Sequence, residues 1–132
     1  MSYDFYVYLA FVPNTSEASI ENLFSLLKEY YQKSNSAAQV VLEDQTIYVR
    51  FKNYEFKIDL NEEEYVKEEA EELSTIRHED YQQRDLNKDL LRTYSRRFEL
   101  GAPVDPNMDY FNDSLYIVET IEKIEGAIIF SF

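Results

Sequence analysis

Apolar residues crowd the start of the chain and then settle into two alternating rhythms. From Asp4 to Val12 nearly every position is apolar or aromatic (DFYVYLAFV). Phe5, Val7, Leu9 and Phe11 alternate with Tyr6, Tyr8, Ala10 and Val12, which predicts a central strand covered on both faces. Pro13-Asn14 ends it. Ile20, Leu23, Phe24, Leu27 and Tyr31 recur at helical spacing, so an amphipathic helix is expected over 17–33, capped by Thr15 or Ser16.

Period two returns in three short runs: Gln39–Leu42, Thr46–Phe51 and Tyr54–Leu60. Ile47, Val49 and Phe51 share one side of the second run, and Phe56, Ile58 and Leu60 one side of the third. Glu43-Asp44-Gln45 and Lys52-Asn53 supply the turns of an antiparallel meander with one wet face. Asn61 is a natural cap for a helix running from Glu62 to about Asp80, with Tyr65, Val66, Ala70, Leu73 and Ile76 as its apolar stripe. The polar segment 81–89 is ambiguous. Leu86, Leu90, Leu91 and Tyr94 continue a helical pattern, whereas Arg96–Leu100 reads as a strand. Residues 101–106 form a loop. A last helix, capped by Asp109 or a neighbour, carries Phe111, Leu115, Val118, Ile121 and Ile124 on one face. Gly126 sits where a helix C-terminal glycine belongs, and 127–132 make a buried final strand.

The order is strand, helix, three strands, long helix, strand, helix, strand. It predicts one α+β domain over 1–132, a mostly antiparallel sheet with helices packed on it, as a relative of the ferredoxin-like fold. The composition agrees: 45% hydrophobic and 16% aromatic residues, with 12 Tyr and 9 Phe, are enough for a core without disulfides. There is no Cys, which excludes thiolate metal sites and thiol nucleophiles and suits a reducing compartment. No apolar run reaches the roughly 20 residues that span a bilayer. The start lacks the basic stretch of a signal peptide, so the cytoplasm is the expected location.

The net charge of −13 argues against direct contact with nucleic acid or an anionic membrane and favours a basic partner. The charge is patterned. Residues 59–72 hold eight acidic side chains against Lys67 alone, and 99–125 hold seven against Lys123 alone. Residues 77–97, between them, are mildly basic. A run of acids at a helix start is commonly a solvated face. In the sharper reading, Glu64, Glu68, Glu71 and Glu72 point away from the Val66/Leu73 stripe and, with Asp105, Asp109, Tyr110 and Asp113, meet a cationic protein surface.

Catalytic chemistry finds little support. His78 is the only histidine, so a triad or a multi-histidine metal site is out of reach. Asp105, Asp109 and Asp113 recur every four residues, a spacing that a hard cation could use, but Pro106 and a capping role for Asp109 favour loop and cap functions. No metal or other cofactor is expected. Tyr6, Tyr8, Tyr48 and Tyr54 either line a groove or pack under the helices. Tyr3, Tyr30, Tyr31, Tyr110 and Tyr116 suit an interface, where tyrosine is enriched.

Arg97-Phe98-Glu99-Leu100, then Asp105 through Asp113 (DPNMDYFND), a helix, and Gly126-Ala127-Ile128-Ile129-Phe130 together resemble the end of small bacterial immunity proteins of polymorphic and contact-dependent toxin systems. The resemblance covers the last third of the chain. It implies a cytoplasmic, non-enzymatic inhibitor that occludes a basic toxin domain, and it carries over no active-site residue. Three other readings stand beside it: a small-ligand or carboxylate-based enzymatic domain, a nucleic-acid mimic that inhibits a defence enzyme, and a self-associating subunit such as a homodimer.

Overall fold

A computed structural model describes residues 2–34, 36–75 and 87–131. His78, Ile76, Leu86 and the end of the helix expected to reach Asp80 lie outside the described residues.

The chain builds β1 (Phe5–Val12), α1 (Ile20–Lys33), β2 (Gln39–Glu43), β3 (Thr46–Arg50), β4 (Glu55–Asn61), α2 (Glu64–Leu73), α3 (Lys88–Leu91), β5 (Arg96–Ala102), α4 (Phe111–Glu122) and β6 (Ile128–Ser131). The strands form one antiparallel sheet in the order β2-β3-β4-β5-β1-β6. This is an α+β fold. Within it, β1-α1-β4-β5-α4-β6 follows the ferredoxin-like arrangement: β1 and β4 run parallel with β5 between them, and β5 and β6 run parallel with β1 between them. The β2–β3 hairpin extends one edge, and α2 with α3 fills the β4–β5 connection.

β1 explains why its sequence is apolar throughout. It lies between β5 and β6, and neighbouring side chains point to opposite faces. Ala10 and Val12 pack under α1 and α4 with Leu23, Leu27, Phe98, Ile117 and Ile121. Phe11 packs on the other face with Val66 and Ala70 of α2, Leu91 of α3, Tyr94 and Phe130. Helices therefore cover both faces of the sheet, α2 and α3 shielding only the β5-β1-β6 side. The outer face of β2, β3 and β4 stays wet, as the alternation in those strands predicts.

Several ends differ from the sequence expectation. A 3-10 turn over Ser16–Ala18 precedes α1, and Ser19 caps the helix, its hydroxyl accepting the Asn22 amide at 3.1 Å. Asn61 is the last residue of β4. Its side chain accepts the Glu63 amide at 2.9 Å, so it stabilises the approach to α2 from two residues before the capping position at Glu63. Gly101 and Ala102 belong to β5 and not to the following loop. Gly101 is needed there because the Tyr3 main chain crosses it so closely that a Cβ would lie 2.3 Å from the Tyr3 carbonyl oxygen. Tyr110, not Asp109, caps α4, and the buried stripe of α4 is Ser114, Ile117, Val118 and Ile121, leaving Phe111 39% exposed. Gly126 has φ +87°, but it sits in the turn into β6, beyond the helix end at Lys123, where its carbonyl accepts the Tyr94 hydroxyl at 2.6 Å. Among the described residues, no helix is long and apolar enough to cross a membrane.

Candidate protein-binding surface

The loop joining β5 to α4 is held from inside by one carboxylate. At the start of β1 the register against β5 shifts by a residue between Phe5 and Tyr8, and Tyr6 takes φ 51°. Such a bulge re-aims a side chain, and here it turns the Tyr6 hydroxyl onto Asp105 Oδ2 at 2.8 Å. The same oxygen accepts the Tyr110 amide at 2.8 Å, and Oδ1 accepts the Asp109 amide at 3.2 Å. Asp105 is only 4% exposed. Its main-chain carbonyl also takes the Met108 amide, and Met108 itself turns back with φ 56°. Across the loop, the Tyr54 and Tyr110 rings stack 4.3 Å apart and parallel, and the Tyr54 hydroxyl donates to the Pro103 carbonyl at 2.5 Å. Burial, with Asp105 and Tyr110 nearby, pushes the Tyr54 phenol up to about 12.

This frame presents apolar groups outward. Val104 is 67% exposed, Met108 53% and Phe111 39%, all within eight residues, with Asp109 exposed among them. Asp113, one helical turn on, is half-buried and accepts the Tyr31 hydroxyl of α1 at 3.1 Å. Burial raises its carboxyl above the usual range, against the opposing effect of that hydrogen bond. Of the four residues singled out in this block, then, Asp109 faces solvent, Tyr110 is half-buried in a stack, and Asp105 and Asp113 are engaged by the fold.

The other acidic block occupies the far side of the sheet. Glu64, Glu68, Glu71 and Glu72 are all exposed on α2. Their spacing keeps them on one side of the helix, opposite Val66 and Ala70. Because α2 sits on the Phe11 face and α4 on the Ala10 face, the sheet separates the two blocks. They form two surfaces rather than one patch.

Glu69 turns inward, and sequence reasoning missed why. It pairs with Arg97, which is 5% exposed, donates to Glu99 at 2.7 Å and lies over the Phe11 and Tyr65 rings. Arg96, its neighbour, points to the opposite face and donates to Asn14 and to the Ala18 carbonyl. In the sequence both arginines counted only toward the mildly basic segment 77–97, with no burial assigned to either. The available signal was their place at the head of a largely apolar strand that also holds Glu99, where a charge must be paired to be buried.

One pair of carboxylates, Asp59 and Glu99, meets across the β4–β5 ladder. The groove beside it, about 390 Å³, is lined also by Tyr3, Lys57, Tyr65 and Arg97. Both acids are already engaged, Asp59 by the Thr46 hydroxyl at 2.6 Å and by Lys57 at 3.7 Å, Glu99 by Arg97 and by the Asn61 amide group at 2.9 Å. Tyr6, Tyr8 and Tyr54 pack against the α1/α4 core, whereas Tyr48 emerges on the wet face beneath Arg50. The four tyrosines therefore do not share a groove. Among the described residues, no three acidic or histidine side chains are grouped to hold a metal ion.

No family model matches the chain, and neither a curated protein nor a solved structure does.

Proposed function

We propose that this protein is a binding module acting by occlusion, an immunity-type inhibitor that works in the cytoplasm on a basic toxin domain. The observation that carries the reading is the braced β5–α4 loop. It holds Val104, Met108 and Phe111 outward around Asp109, on a loop whose conformation is set by a buried carboxylate and a tyrosine stack. Exposed apolar groups on a pre-set frame give a partner something to bury at small cost in ordering. Asp109 and the chain's net charge of −13 supply attraction and steering toward a cationic surface. In this scheme Asp105 and Asp113 act through the frame, and contact falls to Asp109, Met108, Phe111 and the rim of Tyr110. No bond is made or broken.

The exposed row of glutamates on α2 favours a second reading, a nucleic-acid mimic, because it lays acids along a ridge with few apolar anchors beside them. The two readings separate by mutation. The test is capture of binding proteins from the source organism with the full chain as bait, followed by titration against the basic protein captured. Binding is expected to weaken with salt and to fall at least tenfold with Phe111→Ala or Met108→Ala. It should change little with Glu64→Gln and Glu68→Gln together. The reverse pattern selects the α2 ridge, and full binding by all these variants removes both surfaces.

A further inference from the structure

We infer that the β2 edge of the sheet is a homodimer interface, at which two copies pair antiparallel about a two-fold axis through Val41. β2 is one of the two edge strands of the sheet, the other being β6. The two-residue turn Asp44-Gln45, with φ 47° and 70°, makes Glu43 and Thr46 a hydrogen-bonded pair, as in a type I′ hairpin. Alternation along the ladder then directs the Gln39, Val41 and Glu43 main chain to β3 and the Val40 and Leu42 main chain outward. No amide of Val40 or Leu42 bonds to a turn, loop or cap of the described chain.

An open edge of this kind is ordinarily blunted by Pro, Lys, an inward charge or a bulge. The strand Gln39-Val40-Val41-Leu42-Glu43 has none of these, and its register with β3 runs without a break. Its residues suit a second copy. With Val41 facing its own counterpart, Val40 lies opposite the copy's Leu42, and each exchanges main-chain hydrogen bonds with the other. The side chains of Val40 and Leu42 lie on the α1 face, half-buried against the core. Pairing continues that apolar layer from one copy into the next, so the edge exposure of both residues is removed. Gln39 meets Glu43 at each end, with no like charges opposed along the strand.

Five residues of strand bury less than the roughly 1,200 Å² of a stable interface. The groove between α1 and β2, lined by Lys28, Tyr31, Gln32, Gln39, Val40 and Val41, supplies the remainder by receiving the flank of the copy's α1. Such an interface is isologous and closes at two copies. Repulsion between chains of −13 opposes it, so association strengthens as salt is added.

Sedimentation equilibrium on the full chain, from about 5 µM to about 0.5 mM and at low and high salt, tests the proposal. The expected result is a reversible shift from 15.8 kDa to twice that mass, favoured by salt. Val41 points to the wet face, so Val41→Lys and Val41→Glu leave the monomer fold intact by circular dichroism. Each alone is expected to remain monomeric, and an equimolar mixture to dimerise. A wild-type chain that stays monomeric throughout overturns the proposal. So does a Val41→Lys chain that still dimerises, or a mixture of the two folded variants that does not.

Discussion

Asp105 shows how much can rest on one side chain. Its two oxygens satisfy the Tyr6 hydroxyl and the Asp109 and Tyr110 amides, inside a loop that otherwise has few partners for them. Replacing it by Ala strands those donors. A hydrogen bond to a charged group is worth about 1.5–3 kcal/mol, and unsatisfied donors near the surface recover part of the loss by meeting water. Asp105→Ala is therefore expected to cost about 2–4 kcal/mol in urea unfolding and to loosen the loop before the sheet, read as faster hydrogen exchange at Asp109 and Tyr110. The sequence showed an Asp before a Pro and assigned it to a loop, which is where it sits. That it faces inward depends on Tyr6, 99 residues away along the chain, and on a bulge that no local pattern announces.

Between elements, the contact of α1 with α4 carries a titratable group. Asp113 of α4 accepts the Tyr31 hydroxyl of α1, and burial raises its carboxyl. The folded state thus holds the proton more tightly than the unfolded chain does. The wild-type protein consequently loses stability as pH rises from the unfolded value near 4 through the raised folded one, and pays the full penalty at neutral pH. Asp113→Asn keeps an acceptor for Tyr31 without the charge. It should unfold at a higher temperature than wild type at pH 7, with the difference disappearing below about pH 4. Thermal melts across pH 3–8 check this, and a constant difference at all pH values would count against the assignment. The elements themselves were legible: α1, β2, β3, β4 and α4 fall where the apolar periods put them. The caps were less so: Ser19 caps α1 with its own hydroxyl, but Glu63 and Tyr110 hold the capping positions of α2 and α4 without a side-chain bond, ahead of the better cap types Asn61 and Asp109, because main-chain geometry decides where each helix starts.

Across the whole molecule, charge acts against compactness. A chain of 132 residues with 26 acidic and 13 basic side chains repels itself when folded. Two of its bases, Arg96 and Arg97, are buried in the fold, and of the α2 glutamates Arg97 pairs with Glu69, on the inner side of the helix, while Glu64, Glu68, Glu71 and Glu72 stay exposed. Moderate salt is expected to raise the melting temperature by screening this repulsion, while weakening binding to the proposed cationic partner. Calorimetry of the protein alone in about 0.02 M and about 0.5 M sodium chloride reads the first effect, and titration against the proposed partner at the same salts reads the second. A melting temperature that falls with salt would mean that the ion pairs outweigh the repulsion.

What the sequence determined by itself was local: periods, turns, the α+β class, and the amount and grouping of charge. These follow from neighbours a few positions apart and from counting. What the tertiary structure decided was which distant groups meet. It buried Arg97 against Glu69, turned Asp105 inward, exposed Phe111 and put the two acidic blocks on opposite sides of one sheet. Those outcomes depend on strand order and face, because burial makes each charge seek a partner, and that partner can come from anywhere in the chain.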